Sequence, residues 1–297
     1  MHRSALSRIA LLALIWGSAF LWIKLAIRGF APVEVTFARL ALGAAVLFPI
    51  VAARHEAIPR SWRLWVHIAV AALFANAVPY LLFAVAEQTV PSSTAGIINA
   101  TTPLWTVLLA VAVRYQKSIT AWQATGLIVG FGGAVLIFAP WQTSSGLVSA
   151  GTFECLAASI SYAISYIYMD RFLARRGMSP ITLSACQLLA ASILLAIALG
   201  VSGAPVPQPS VVSIAGVAIL GVLGTGVAYV LNYQIISSEG ATIASTVTYL
   251  LPVVAIVLGV LVLGETVAVI ALAGIALVLG GVALTRHHTK QPSAGDT

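Results

Sequence analysis

The polar and aromatic side chains that interrupt this apolar chain come in two matching sets. Tyr80 lies 23 residues before Pro103, and Tyr229 lies 23 residues before Pro252. Asn99, Thr101 and Thr102 precede the first proline; Thr246, Thr248 and Tyr249 precede the second. A proline inside a helix removes a backbone donor and can kink the helix. Freed carbonyls, hydroxyls and amides beside such a kink suit an amino or carboxyl group, and they suit hydrogen bonds between helices equally. Trp16, Phe20, Trp105, Tyr162, Tyr166 and Tyr233 add ring surface, and Asn232 follows Tyr229 by three residues on nearly the same helix face. Tyr162 and Tyr166, four apart, share one face. A cavity lined this way would accept an apolar side chain and hold a cation over ring faces. The competing use of each ring is packing between helices. Trp105 and Tyr80 stand first among the candidates for a substrate wall.

Charge is scarce and therefore informative. Arg39 is the one basic residue well inside an apolar segment. A charge at that depth is costly and is either paired or functional. Arg39 is expected to serve mainly as a structural tie, with an anion contact as the alternative. Of the eight acids, Glu87 and Glu154 come closest to the membrane and are the candidate proton sites; the competing reading is a charge at a helix end. His67 reads as interfacial. No HExxH, GxSxG, membrane aspartate pair or Asp-rich metal-diphosphate motif is present. No catalytic residue, metal ligand or cofactor is therefore assigned. The glycines near 126–133 and 274–281 lack the basic residue of a phosphate-binding loop and read as close helix contact, within one chain or between two copies.

The elements that position these residues follow from composition. The chain is 60% apolar and 8% charged, against about 25% charged in a soluble domain, and its mean hydropathy is +1.03. A bilayer must cover such a surface. Ten segments approach the roughly 20 residues that a spanning helix needs: 8–28, 33–53, 64–86, 92–114, 120–138, 150–172, 181–201, 211–236, 242–263 and 267–285. The expected class is an all-α integral membrane protein. Pro32 and Arg39 are each 148 residues before Pro180 and Gln187, and Gly126 is 148 before Gly274. The chain is thus a tandem duplication, with repeats at 1–145 and 146–285 and a polar tail at 286–297. Five helices per copy is an odd number, so the second copy must enter the membrane from the opposite side. The two repeats are expected to be inverted, with the substrate path between them.

Twelve of the fifteen lysines and arginines fall on one side of this arrangement, among them Arg54, Arg60, Arg63, Arg114, Lys117, Arg171, Arg175 and Arg176. The positive-inside rule then places both termini in the cytoplasm. It also accounts for the net charge of +7 without nucleic acid as a partner. A cleaved signal peptide is the rival at the N terminus, but no clear small-x-small cleavage site follows the long first apolar run. Cys155 and Cys186 lie in apolar stretches and suggest no structural disulfide.

Trp16-Gly17-Ser18-Ala19-Phe20, Pro32 with Phe37-Ala38-Arg39-Leu40, the two prolines Pro103 and Pro252, and Leu263-Gly264-Glu265 before a glycine-rich last segment resemble the drug/metabolite transporter superfamily, specifically its ten-helix EamA type. The resemblance covers about residues 5–285. It departs from the family at Lys117, which stands where the second copy has Glu265. It implies an inner-membrane exporter or exchanger of small metabolites, with bacterial amino-acid exporters nearest. The expected function is export or exchange of amino acids, including aromatic or apolar ones, or of related small metabolites by alternating access. A multidrug or nucleoside/sugar exporter of the same fold is the alternative, and an intramembrane enzyme the remote one. A channel would want a carbonyl filter or a charged ring, and neither is present. The expected partners are the small-molecule substrate and the lipid bilayer, with the protein a monomer or homodimer. The expected cavity lies between segments 1, 3, 4, 6, 8 and 9, with Pro103 and Pro252 as paired kinks or gates.

Overall fold

Apolar runs bounded by proline, serine and glycine dictate where the helices begin and end. In the computed structural model, which describes residues 3–115, 120–138, 149–174, 176–239, 244 and 246–286, the secondary structure is entirely helical. The helices are α1 (Arg3–Ala26), α2 (Pro32–Ala53), α3 (Trp62–Ala86), α4 (Ser92–Ala112), α5 (Ala121–Phe138), α6 (Ala150–Phe172), α7 (Pro180–Val201), α8 (Val211–Glu239), α9 (Leu251–Leu263) and α10 (Val269–Arg286). Among the described residues, α1 to α4, α7 and α8 are long and apolar enough to cross a membrane. Parts of α5, α9 and α10 are apolar but shorter. The 23-residue α6 is outside that set because it carries Glu154, Asp170 and Arg171 with a run of serines and tyrosines. The link at 139–148, Lys117, Arg175 and the tail beyond Arg286 lie outside the described residues.

The helix starts follow local chemistry. Proline has no N–H to lose in a first turn, and Pro32 and Pro180 open α2 and α7. One turn later the same bond forms in both: Thr36 Oγ1 donates to Pro32 O at 2.7 Å, and Ser184 Oγ donates to Pro180 O at 2.7 Å. Ser149, Ser179 and Ser210 cap α6, α7 and α8, each accepting from a backbone N–H three residues on. Gly264 ends α9 with φ 67°, a left-handed conformation that glycine adopts without strain.

The two proline-centred segments differ from straight spans. α4 breaks between Asn99 and Thr102, just before Pro103. Thr101 Oγ1 donates to Ile98 O at 2.7 Å, and Thr102 Oγ1 donates to Asn99 O at 2.7 Å. The threonine hydroxyls therefore satisfy the carbonyls that the break releases, as a lipid surrounding requires. In the second half the segment expected over 242–263, with a kink at Pro252, becomes a short 3-10 turn at Thr246–Tyr249, and α9 starts only at Leu251 with Pro252 in its first turn. α3 and α8 each contain a wide π-helical turn, at Leu73–Ala77 and Val222–Val227.

Packing joins the two halves throughout. α2 lies on α7, α4 on α9 and α5 on α10. α3 packs on α6 as α8 packs on α1, and α6 packs on α4 as α1 packs on α9. The α5–α10 contact is held by glycines. A Cβ on Gly133 would stand 2.6 Å from Gly274 O and 2.7 Å from Val278 N, both backbone atoms that cannot turn aside. A Cβ on Gly132 would meet nothing within 4 Å. The bundle thus uses this pair as internal packing.

A second tie sits in the polar loop between α2 and α3. Ser179 Oγ and Thr182 Oγ1 at the start of α7 both donate to Glu56 Oε2. The Ser179 bond, then the Thr182 bond, hold the Glu56 carboxyl below the ordinary carboxylate range, against a smaller opposing effect of burial and with help from Arg54. A carboxyl whose folded-state pKa is depressed stabilises the fold above its unfolded pKa and loses that contribution as pH falls through the folded value.

Two outcomes are expected from thermal unfolding in detergent. Gly133→Ala should destabilise by about 1–3 kcal/mol, as overpacking does, whereas Gly132→Ala should stay within about 1 kcal/mol of the wild type. The wild type should lose its stability advantage over Glu56→Gln as pH falls below the ordinary carboxylate range. An advantage that persists at that acidity would mean that the loop tie contributes nothing.

Candidate functional site

Seven helices and the turn before α9 converge on one cavity at the junction of the halves. Its walls come in matched pairs. α1 contributes Trp16, Ala19, Phe20 and Ile23, and α6 contributes Tyr162, Ser165, Tyr166 and Met169. Both sets have the spacing i, i+3, i+4, i+7 of a single helix face. α3 contributes Tyr80 and Phe83, and α8 contributes Tyr229 and Asn232, three residues apart in each case. Asn99 enters from the break in α4 and Thr248 from the turn before α9, with Leu251 beside it. Arg39 enters from α2 and has no counterpart in the wall. The cavity volume is about 40 Å³. The cavity is therefore narrow in this conformation.

The π turns aim these side chains. A wide turn adds a residue to the helix and leaves carbonyls without their usual partner. Trp16 Nε1 donates to Gly224 O at 3.1 Å, in the α8 turn. Tyr229 Oη donates to Ala75 O at 2.7 Å and Ser161 Oγ to Phe74 O at 2.8 Å, both in the α3 turn. Each of these bonds crosses from one half to the other. The rings then pack edge to face: Trp16 on Tyr229 at 6.1 Å between centroids, Phe20 on Phe83 at 5.4 Å and Tyr80 on Tyr162 at 6.5 Å.

Arg39 is 3% exposed. Its Nε donates to Thr225 Oγ1 at 3.1 Å, and its Cζ sits 3.8 Å from the Tyr80 ring centroid, a cation held against an aromatic face. Its repeat mate Gln187 is turned away from the cavity. Gln187 Nε2 donates to Asn76 Oδ1 at 2.7 Å and its Oε1 accepts from Tyr233 Oη. No lining residue is acidic. Asn232 is 1% exposed and its Oδ1 has no hydrogen-bond partner.

Of the residues singled out from sequence, Trp16, Phe20, Arg39, Tyr80, Asn99, Tyr162, Tyr166, Tyr229, Asn232 and Thr248 are in the wall. Trp105 is not, contrary to its place among the leading candidates. It stands edge-on to Phe131 of α5 at 5.1 Å and donates from Nε1 to Thr101 Oγ1 at 3.2 Å. The physical reason is azimuth: six residues beyond Asn99 is about 120° round a helix. Tyr233 is likewise outside the wall, fully buried against Gln187. The side chain of Tyr249 lies outside the described residues. Pro103 and Pro252 sit at the breaks and do not line the cavity. Ala19, Ile23, Phe83, Ser165, Met169 and Leu251 line it without having been singled out. The helical spacing from Trp16 and from Tyr162 was the available signal for four of them.

A polar cluster lies beside the cavity at the end of α3. Glu87 is fully buried. Its Oε2 accepts from Ser92 Oγ at 2.9 Å, and its Oε1 has no partner. Lys24 Nζ donates to the backbone carbonyls of Glu87 and Val90, the latter at 3.1 Å, and not to the carboxyl group. Glu265, from beyond α9, accepts from Ser92 N at 2.8 Å and Ser93 N at 3.0 Å, capping α4 across the two halves. Glu154 is only half-buried, on α6. Among the described residues no group of histidine, cysteine or acidic side chains could hold a metal ion.

Known proteins share this architecture. The model of the EamA-like transporter family matches residues 3–139 and again 149–286. An uncharacterized inner membrane transporter of Escherichia coli K12, YedA, is 27% identical over 278 residues, covering 92% of this chain and 87% of that protein. An uncharacterized transporter of Archaeoglobus fulgidus is 25% identical, with 92% and 95% covered. A probable terminal-alkyne amino-acid exporter of Streptantibioticus cattleyicolor is 26% identical, with 95% and 93% covered. A protein of known crystal structure superposes with a TM-score of 0.71 at 20% identity, covering 98% of this chain and all of the other. The same family model thus fits each half of a helical membrane bundle in turn, and the chain belongs to the EamA-like transporter family.

Proposed function

We propose that this transporter moves amino acids or related small metabolites out of the cytoplasm, across an inner membrane, by alternating access between two inverted halves. One observation carries the reading: the narrow aromatic cavity is built from matched faces of both halves. Such a cavity opens to one side or the other as the halves rock, and its rings suit an apolar or aromatic side chain. Its small free space means that a ligand of amino-acid size enters only as the walls part. The likeness to a probable amino-acid exporter supports the same class. The distribution of lysine and arginine supports cytoplasmic termini. Export of drugs, nucleosides or sugars is the alternative within the same fold.

Proton coupling is a second reading, favoured by Glu87 alone. A carboxyl group buried with one oxygen unpartnered is suited to exchange a proton when its surroundings change. Glu154 lacks that burial and is the weaker candidate.

The test is uptake of a panel of radiolabelled amino acids into proteoliposomes, with and without a pH gradient. Saturable flux is expected for apolar or aromatic members. Tyr80→Ala and Tyr162→Ala should reduce it at least about tenfold, the equivalent of about 1.4 kcal/mol, while folded protein is retained. Trp105→Ala should keep most of the flux. Absence of flux for every amino acid would remove the substrate class and turn attention to the alternative exporters. Stimulation by the gradient in the wild type but not in Glu87→Gln would assign coupling to Glu87, and stimulation retained in that variant would exclude it.

A further inference from the structure

The cavity wall is nearly symmetric between the halves, and the exception is a charge. Tyr80 pairs with Tyr229, Asn99 with Thr248, and the α1 face with the α6 face. Arg39 lines the wall, while its mate Gln187 does not. Both make the same structural contact, from the second helix of one half to the π turn of the other: Arg39 to Thr225, Gln187 to Asn76. A neutral amide meets that need in one half. The tie by itself therefore does not call for a guanidinium in the other.

No carboxylate bonds the charge directly, although the buried Glu87 lies within electrostatic reach of it. A guanidinium carries five N–H donors. The Nε donor is used by Thr225, one face rests on Tyr80, and no further hydrogen bond reaches the terminal nitrogens among the described residues. No acidic residue lines the cavity. A buried cation without a directly bonded carboxylate is expensive, and that cost falls when an anion takes its free donors. A planar fork with free terminal donors matches a carboxylate in two-point geometry. Elsewhere in the wall, Asn232 Oδ1 is a buried acceptor without a donor. It and the ring faces offer a neutral receptacle for an ammonium group.

We infer that Arg39 binds the carboxylate of the transported molecule, so that the substrate class is carboxylates with an apolar body, whether zwitterionic or anionic, and excludes simple amines. This rests on the cavity being the substrate site, as proposed above. Arg39 is thereby a specificity-determining residue as well as a tie between the halves.

The test keeps the side chain constant and varies the charge. The melting temperature of purified full-length protein in detergent is measured against graded concentrations of leucine, leucinamide, 3-methylbutylamine and 4-methylpentanoate. A ligand that binds the folded state raises it by an amount that grows with the logarithm of its concentration relative to its Kd. Leucine and 4-methylpentanoate are expected to bind at least about tenfold more tightly than the amide and the amine, the scale of one charge-assisted hydrogen bond. Arg39→Gln, built on the Gln187 precedent, should lose that preference, and Arg39→Lys should recover only part of it. A purely structural Arg39 would lower the melting temperature of the ligand-free variant and leave the ratio between acid and amide unchanged. Equal binding of leucine and leucinamide by the wild type would overturn the inference and leave an amino-acid carrier standing. Binding of 4-methylpentanoate without leucine would keep the carboxylate contact and remove the amino-acid reading. Binding of none of the four would remove both. The wild-type series decides the question even if the variants do not fold.

Discussion

The architecture depends on backbone carbonyls that two helices cannot satisfy by themselves. The π turns in α3 and α8 release carbonyl groups at a depth where lipid offers no donor. Trp16, Tyr229 and Ser161 supply those donors, and each reaches from one half into the other. The Arg39–Thr225 and Gln187–Asn76 bonds join the same two turns to the second helix of the opposite half. The halves are therefore joined by partners that neither contains alone. Tyr80 and Tyr229 follow directly after the turns, so the irregularity that demands these bonds also directs the cavity rings.

The proline breaks are treated differently. In α4 the threonines ahead of Pro103 bond back to their own helix, and Ser159 of α6 adds one bond to Ile98 O at 3.3 Å. Only Asn99 is left to face the cavity. At the far end of α4, its first N–H groups are capped by Glu265 from beyond α9. α4 is thus anchored at one end by the other half, and its break is held mainly by its own side chains. The α5–α10 pair is close-packed, because Gly133 and Gly281 place backbone against backbone. The bundle therefore combines a rigid glycine-packed edge with a bent, polar centre.

The cavity is apolar in area and polar in its few fixed points. Phe20, Phe83, Ile23, Met169 and Leu251 give it surface, while Arg39, Asn99, Asn232 and Thr248 give it direction. Few polar groups on a hydrophobic wall are the usual basis of orientation in a small-molecule site.

The sequence by itself determined the solvent, the helical class, the duplication and most of the polar wall, because each is written in local signals. Apolar runs, proline starts, serine caps and matched spacings do not depend on which helices become neighbours. The stripes from Trp16 to Ile23 and from Tyr162 to Met169 were readable in the same way, since residues three, four and seven apart share a face. What only the tertiary structure decided is rotation and adjacency. Trp105 is as close in sequence to a cavity residue as many that line it, yet its side of α4 meets Phe131 of α5. Arg39 and Gln187 occupy equivalent positions, and only the packing decides that one faces the cavity and the other an asparagine and a tyrosine. The π turns left no separate mark in the hydropathy, because an extra residue in a helical turn changes the direction of side chains without changing how apolar they are.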